Sequence, residues 1–259
     1  MNFVYTLSGF AVGLIVGVTG VGGGALMTPL LVLLFGISPT TAVGTDLLYA
    51  SLTKSLGSWV HGRRGTVAWR VVVLLAMGSL PAAAFTIMIL RTLALDEQHL
   101  RHVVTTVLGV ALLLTALALL FKERIRRLAQ RPDGAVYELH HRYLDAATIL
   151  TGVMVGILVT LSSVGAGVLG TMALLFLYPR MPTARIVGTD IVHAVPLTAV
   201  AGLGHLALGT VHLELLFSLL LGSLPGIYIG SHLSARLPEL LLRRTLATML
   251  LIVGLRMLA

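Results

Sequence analysis

The chain has 259 residues, of which 57% are apolar and 11% charged, with a mean hydropathy of +0.98. A soluble domain carries roughly 25% charged residues, so this composition excludes an ordinary water-facing globule and indicates an integral membrane protein. The formal charge of +8 sits on arginines in short loops between apolar runs, a pattern that sets membrane topology, and no nucleic-acid partner is expected.

The first apolar run, residues 3–18, breaks at Gly20, Gly22, Gly23 and Gly24 and resumes over 24–36. No Lys or Arg precedes Lys54, so the basic start of a secretory signal is missing, and this run is expected to stay in the mature protein. Three longer helices are expected at 40–60, 67–92 and 102–121. A polar stretch from Lys122 to Tyr143 follows. A second broken segment then covers 144–161 and 164–178, interrupted at Ser162, Ser163, Gly165 and Gly167. Helices at 184–205, 211–232 and 238–258 complete the chain. The resumed pieces are shorter than the ~20 apolar residues a crossing needs.

The second set of elements duplicates the first. Val43-Gly44-Thr45-Asp46 recurs as Val187-Gly188-Thr189-Asp190, His61 as His205, Gly65-Thr66-Val67 as Gly209-Thr210-Val211, and Gly78-Ser79-Leu80-Pro81 as Gly222-Ser223-Leu224-Pro225. Upstream, with the spacing one residue shorter, Val21-Gly22-Gly23-Gly24-Ala25-Leu26 faces Val164-Gly165-Ala166-Gly167-Val168-Leu169; Thr28 faces Thr171 and Pro39 faces Pro182. The halves are therefore homologous.

Lys and Arg placement orients them. Basic residues mark loops at 61–70, 122–143, 179–185 and 233–243 as cytoplasmic, whereas 36–39 and 206–213 carry none. Arg91, Arg101 and Arg256 run against this pattern. The helix bearing Asp46 then runs inward and its twin bearing Asp190 runs outward, the inverted repeat of many secondary transporters. The expected fold is an all-α integral membrane protein of two inverted-topology repeats. Each repeat is a glycine-broken helix or hairpin followed by three transmembrane helices. Residues 1–121 form the first repeat, 122–143 a basic cytoplasmic linker and 144–259 the second repeat.

Clustered glycines free the backbone, and irregular backbone at membrane depth survives only where it is buried in protein or lines a cavity. Two breaks at matching positions, each followed by a helix start, make an anion site of main-chain N–H groups from Gly22, Gly23, Gly24, Ser162, Ser163, Gly165 and Gly167. The competing reading is close helix packing through small residues. Gly20–Ala25 also fits a dinucleotide fingerprint, but no strand–helix–strand unit surrounds it. Asp46 and Asp190 are the acids well inside apolar segments; each either relays a proton or braces the break of its own half. Thr45 and Thr189 place hydroxyls beside them. Lys54 lies eight residues after Asp46, about 80° round the helix. It either attracts the anion or snorkels to the cytoplasmic surface. His193, three residues after Asp190, shares a proton with it or is a buried hydrogen-bonded imidazole. His61 and His205 are expected at the interface. The chain has no Cys, and the adjacent His140-His141 lacks helical metal-site spacing; neither a metal nor a cofactor is expected.

The Val21–Ala25 stretch, Pro29, the paired Val-Gly-Thr-Asp motifs and the Gly-Thr-Val after a short loop resemble the sulfite exporter TauE/SafE family over nearly the whole chain. That resemblance implies a multi-pass protein of the bacterial inner (plasma) membrane that exports sulfite, sulfonates or related small organic anions and is not an enzyme. A small anionic substrate and the lipid bilayer are then its partners, and a homodimer is compatible with the sequence. The second half departs from the first, with Ser162-Ser163 and Ala166 in place of Thr19-Gly20 and Gly23. Two alternatives remain: an intramembrane aspartyl protease using the two aspartates, although a threonine precedes each where those enzymes carry a glycine at one, and a passive anion channel.

Overall fold

The computed structural model describes residues 3–19, 24–93, 97–129, 134–233 and 239–258. They form ten helices: α1 Phe3–Thr19, α2 Gly24–Phe35, α3 Pro39–Arg63, α4 Trp69–Leu93, α5 Glu97–Ala129, α6 Gly134–Ser162, α7 Val168–Leu177, α8 Thr183–Ala207, α9 Leu213–Leu233 and α10 Glu239–Leu258. The protein is an all-α, multi-pass membrane protein. Five segments are long and apolar enough to cross a bilayer: Trp69–Thr92, Gln98–Arg124, Tyr143–Ser162, Thr183–Ala207 and Leu213–Gly230. Helix α3 matches α4 at 25 residues but carries Asp46, Lys54 and several Ser, Thr and Gly, which dilute its apolar content. It is held in the interior, with Ala42, Val43, Leu47 and Tyr49 fully buried. The stretch expected as a linker at 122–143 is mostly helix: α5 continues to Ala129 and α6 begins at Gly134.

Swapping the halves maps each main packing relationship onto another. Helix α1 packs on α9 as α6 packs on α4; α2 lies on α3 as α7 lies on α8; α4 meets α8 as α9 meets α3. The pairs α3–α8 and α5–α10 map onto themselves. Each broken segment therefore packs its first piece against a helix of the opposite half. Residue pairing gives the directions. Along α3, Gly44, Leu48, Ser51 and His61 meet His205, Gly202, Val195 and Gly188 of α8, so the two run antiparallel. Gly9 and Gly13 of α1 lie on Leu219 and Ser223 of α9, and Gly152 and Gly156 of α6 lie on Leu75 and Ser79 of α4, so these pairs run parallel.

These parallel pairs are bonded by backbone approach. A Cβ added at Gly13 or Gly156 would overlap the main chain of Ser223 or Ser79. Both glycines belong to Gly-x-x-x-Gly pairs, Gly9/Gly13 and Gly152/Gly156, and Gly222/Gly226 makes a third from the α9 side. In lipid, where no hydrophobic force separates one helix face from another, such close packing drives association. Large apolar side chains such as Phe85, Met88, Leu150, Met154 and Phe217 point outward, as a lipid-facing surface requires. Trp59 and Trp69 are exposed beside the Arg63–Arg70 loop, and the Arg63 guanidinium stacks on Trp59 at 4.8 Å, an aromatic position at the membrane boundary.

Candidate functional site

Helix α3 starts cleanly. Ser38 caps it, its hydroxyl accepting from the Thr41 amide at 3.3 Å, and Pro39 fills the first turn. Two turns in, the Asp46 side chain is buried and accepts a hydrogen bond from Thr28 Oγ1 on α2 at 2.5 Å. The second half repeats this: Asp190 of α8 is buried and accepts from Thr171 Oγ1 on α7 at 3.1 Å. Asp190 also lies directly on Gly170, where any side chain would collide with its Oδ1. Thr28 and Thr171 were visible as a repeat match, but nothing in the one-dimensional pattern marked them as carboxylate partners. One oxygen of each carboxylate, Oδ1, is buried without a donor in normal hydrogen-bond geometry among the described residues.

Lys54 is buried and does not snorkel. Its ammonium crosses to the opposite half and donates to the Ala166 carbonyl inside the second break. It is within electrostatic reach of Asp190, Asp46 and His193. His193 is buried too, and its Nε2 is 2.7 Å from Ser79 Oγ of α4. The cluster thus gathers side chains from α3 and α8 at the crossing of the two halves.

The second break closes the cluster on one side. Ser162 ends α6, its hydroxyl donating to the Leu158 carbonyl at 2.6 Å and accepting from the Val164 amide at 3.1 Å. Ser163 adopts φ +56°, a left-handed conformation that a non-glycine residue holds only under constraint. Its hydroxyl is buried beside the Asp46 carboxylate, short of normal hydrogen-bond geometry. Gly165 and Gly167 take φ +121° and +150°, which only glycine adopts readily, and α7 starts at Val168 with no side-chain cap. Within its first turn the Gly170 amide donates back to the Gly165 carbonyl at 3.0 Å, and no side chain caps the Val168 and Leu169 amides before it. Of the first break, Gly22 and Gly23 lie outside the described residues, and Gly24 opens α2.

Two expected site residues serve elsewhere. The Thr45 hydroxyl accepts the His212 amide at 3.1 Å, just before α9, and the Thr189 hydroxyl accepts the Ala68 amide at 2.9 Å, just before α4. They tie helix starts across the halves, their hydroxyls turned away from the carboxylates next to them in the chain. His205 is buried, not interfacial: Nδ1 meets Thr210 Oγ1 at 2.8 Å and Nε2 meets the Thr160 carbonyl at 2.9 Å. Placing an imidazole at a helix end says nothing about which helix covers that end. His61 repeats the Thr66 contact at 2.8 Å and stays partly exposed.

The whole-chain comparison decides the lineage, since the sequence profile described as Sulfite exporter TauE/SafE matches residues 5–257. The chain belongs to the sulfite exporter TauE/SafE family. It is 40% identical, over 99% of its own length and all of the relative's, to the probable membrane transporter protein YjnA of Bacillus subtilis. It is 26% identical to the probable membrane transporter protein YdhB of the same organism, covering 96% of this chain and 97% of that one. A probable membrane transporter protein of Xylella fastidiosa (strain Temecula1) is 27% identical over 89% of this chain and 84% of its own. No solved structure matches. Membership makes this TauE/SafE chain part of a membrane-transporter family.

Proposed function

We propose that the protein is a transporter that exports small sulfur-containing anions, such as sulfite or short sulfonates, across the bacterial plasma membrane. The observation that carries this is the convergence of one buried ammonium, Lys54, on a backbone break that holds the buried Ser163 hydroxyl and opens into a helix start with no side-chain cap. A tetrahedral oxyanion takes N–H and O–H donors and a nearby cation, and a half-helix start adds a positive dipole end. The family's printed name supplies the substrate class.

The same reading treats the halves as an inverted repeat. Its support is the antiparallel pairing of the equivalent helices α3 and α8 together with the Lys/Arg bias of the loops. Purified protein in liposomes should move sulfite and ethanesulfonate with saturable kinetics, and external anions of the same class should compete. Unsaturable conductance would instead make it a channel. Single cysteines at 38 and 209 should label from outside and those at 65 and 134 should not; the reverse would refute the orientation.

A further inference from the structure

We propose that the central site takes its anion together with one proton, carried by one of the two buried carboxylates, Asp46 or Asp190. This rests on the anion-transport reading above and deepens it. The argument begins with charge. The cluster holds two carboxylates and one ammonium, all buried. Fully ionised, it already has one negative charge more than Lys54 can offset, before any substrate enters. An anion would add a second uncompensated charge at membrane depth, where even one costs at least ~2.5 kcal/mol.

Geometry gives the same answer. An oxyanion needs donors, yet each carboxylate keeps one acceptor oxygen, Oδ1, outside normal hydrogen-bond geometry, with the Ser163 hydroxyl near that of Asp46 and no such neighbour at Asp190 among the described residues. Each Oδ2 is already held by a threonine, Thr28 or Thr171, which keeps the side chain fixed. A proton on one Oδ1 turns a repelling acceptor into an O–H donor and removes the surplus charge in one step.

Few other groups can do this. Among the described helices, α2 and α7 carry no titratable residue, and the middles of α4, α5, α6 and α9 contribute none. On α3 and α8 the remaining candidates are Tyr49, His61, His193 and His205. Three of them are engaged or distant: His193 with Ser79, His205 with Thr160 and Thr210, and His61 with Thr66 at the far end of α3. Tyr49 is neutral through the physiological range. Arg63, Arg64 and Arg185 stand at helix ends.

The test is calorimetric binding of ethanesulfonate, with sulfate as a second probe, to the full-length protein in nanodiscs at pH 6 to 8. Two buffers of different ionisation enthalpy report the protons exchanged. Sulfonates stay ionised throughout, so any proton taken up belongs to the protein. The expected result is uptake of about one proton per anion, with affinity falling by up to about tenfold per pH unit as pH rises. Asp46→Asn and Asp190→Asn should bind with reduced proton uptake and, at pH 8, more tightly than wild type. Lys54→Met should bind more weakly, most at pH 8, and regain part of the loss at pH 6. The opposite signs separate a charge balance from a bracing role, in which either Asn variant would bind worse at every pH. Wild-type binding with no proton uptake and a flat pH profile overturns this inference and leaves the transport reading intact, even if a variant fails to fold. Absence of binding to either probe at any pH sinks the sulfur-anion reading itself.

Discussion

Helices α3 and α8 occupy equivalent places in the two halves, run antiparallel through the centre, and share a frame: Asp46 matches Asp190, Thr45 matches Thr189, and Gly44 matches Gly188. They differ in the two turns that follow the carboxylates. Tyr49 stands against His193 in the repeat, Ser51 against Val195, and Lys54 against Thr198. The repeated residues all make architecture, as threonines that tie helix starts, carboxylates held by a threonine of the short helix, and glycines against carbonyls. The divergent residues put one cation and one imidazole into an otherwise symmetric core. A duplicated scaffold thus carries a one-sided polar cluster, since a second buried ammonium would need its own counter-charge.

The largest expected effect would break the frame itself. Gly222→Leu drives a side chain into the backbone of Thr6 and Phe10 on α1. Overpacking of this kind costs ~1–3 kcal/mol even in cores that can yield, and two parallel backbones cannot separate without losing the interface. No monodisperse folded protein should be recovered in detergent, and Gly78→Leu should fail the same way against α6. A well-folded Gly222→Leu variant would show that the cross-half pairs are not rigid.

Next comes the asymmetry. Lys54→Met should weaken anion binding at pH 7 by about tenfold or more, the ~1.4 kcal/mol of one modest charge interaction. Its twin Thr198→Val should leave binding unchanged, because the Thr198 hydroxyl is spent on the Ala194 carbonyl at 2.8 Å. Equal losses in both variants would restore the symmetric view.

A smaller effect should be the same in both halves. Thr45→Val and Thr189→Val each strip a cross-helix acceptor from a backbone amide, and each should cost ~1 kcal/mol, read as a similar drop in thermal midpoint with substrate affinity retained. Loss of affinity in either would return that threonine to the binding site.

The smallest effect contrasts the two divergent rings. Ser79→Ala removes the partner of a buried imidazole and should cost ~1–2 kcal/mol. Tyr49→Phe should shift stability by less, ~0.5 kcal/mol, since the Tyr49 hydroxyl lies near Ser223 of α9 short of normal hydrogen-bond geometry. A loss as large as that of Ser79→Ala would show that the Tyr49–Ser223 contact is a full hydrogen bond.

Membrane residence, the duplication and the placement of the second break were legible in the sequence alone, because each is a local or repeating pattern. Apolar run length reports what lipid tolerates. Matching tetrapeptides report common descent, and glycine clusters report backbone that cannot stay helical. The carboxylates were also legible, since an acid in an apolar run is costly enough to demand a role.

Only the tertiary structure decided what each polar group touches. Lys54 could snorkel or turn inward by sequence, and its reach to the Ala166 carbonyl depends on α6 and α7 of the other half being there. Thr45 and Thr189 looked like neighbours of the carboxylates, but adjacent residues on a helix point about 100° apart, so their hydroxyls meet different helices. The Gly-x-x-x-Gly pairs were present to be read, but a small residue tells nothing of its partner until α1 is seen against α9 and α6 against α4. Periodicity is carried within a segment, whereas contact is fixed by the crossing of segments far apart in the chain. Only that crossing brings Lys54 within reach of two buried carboxylates and the second break.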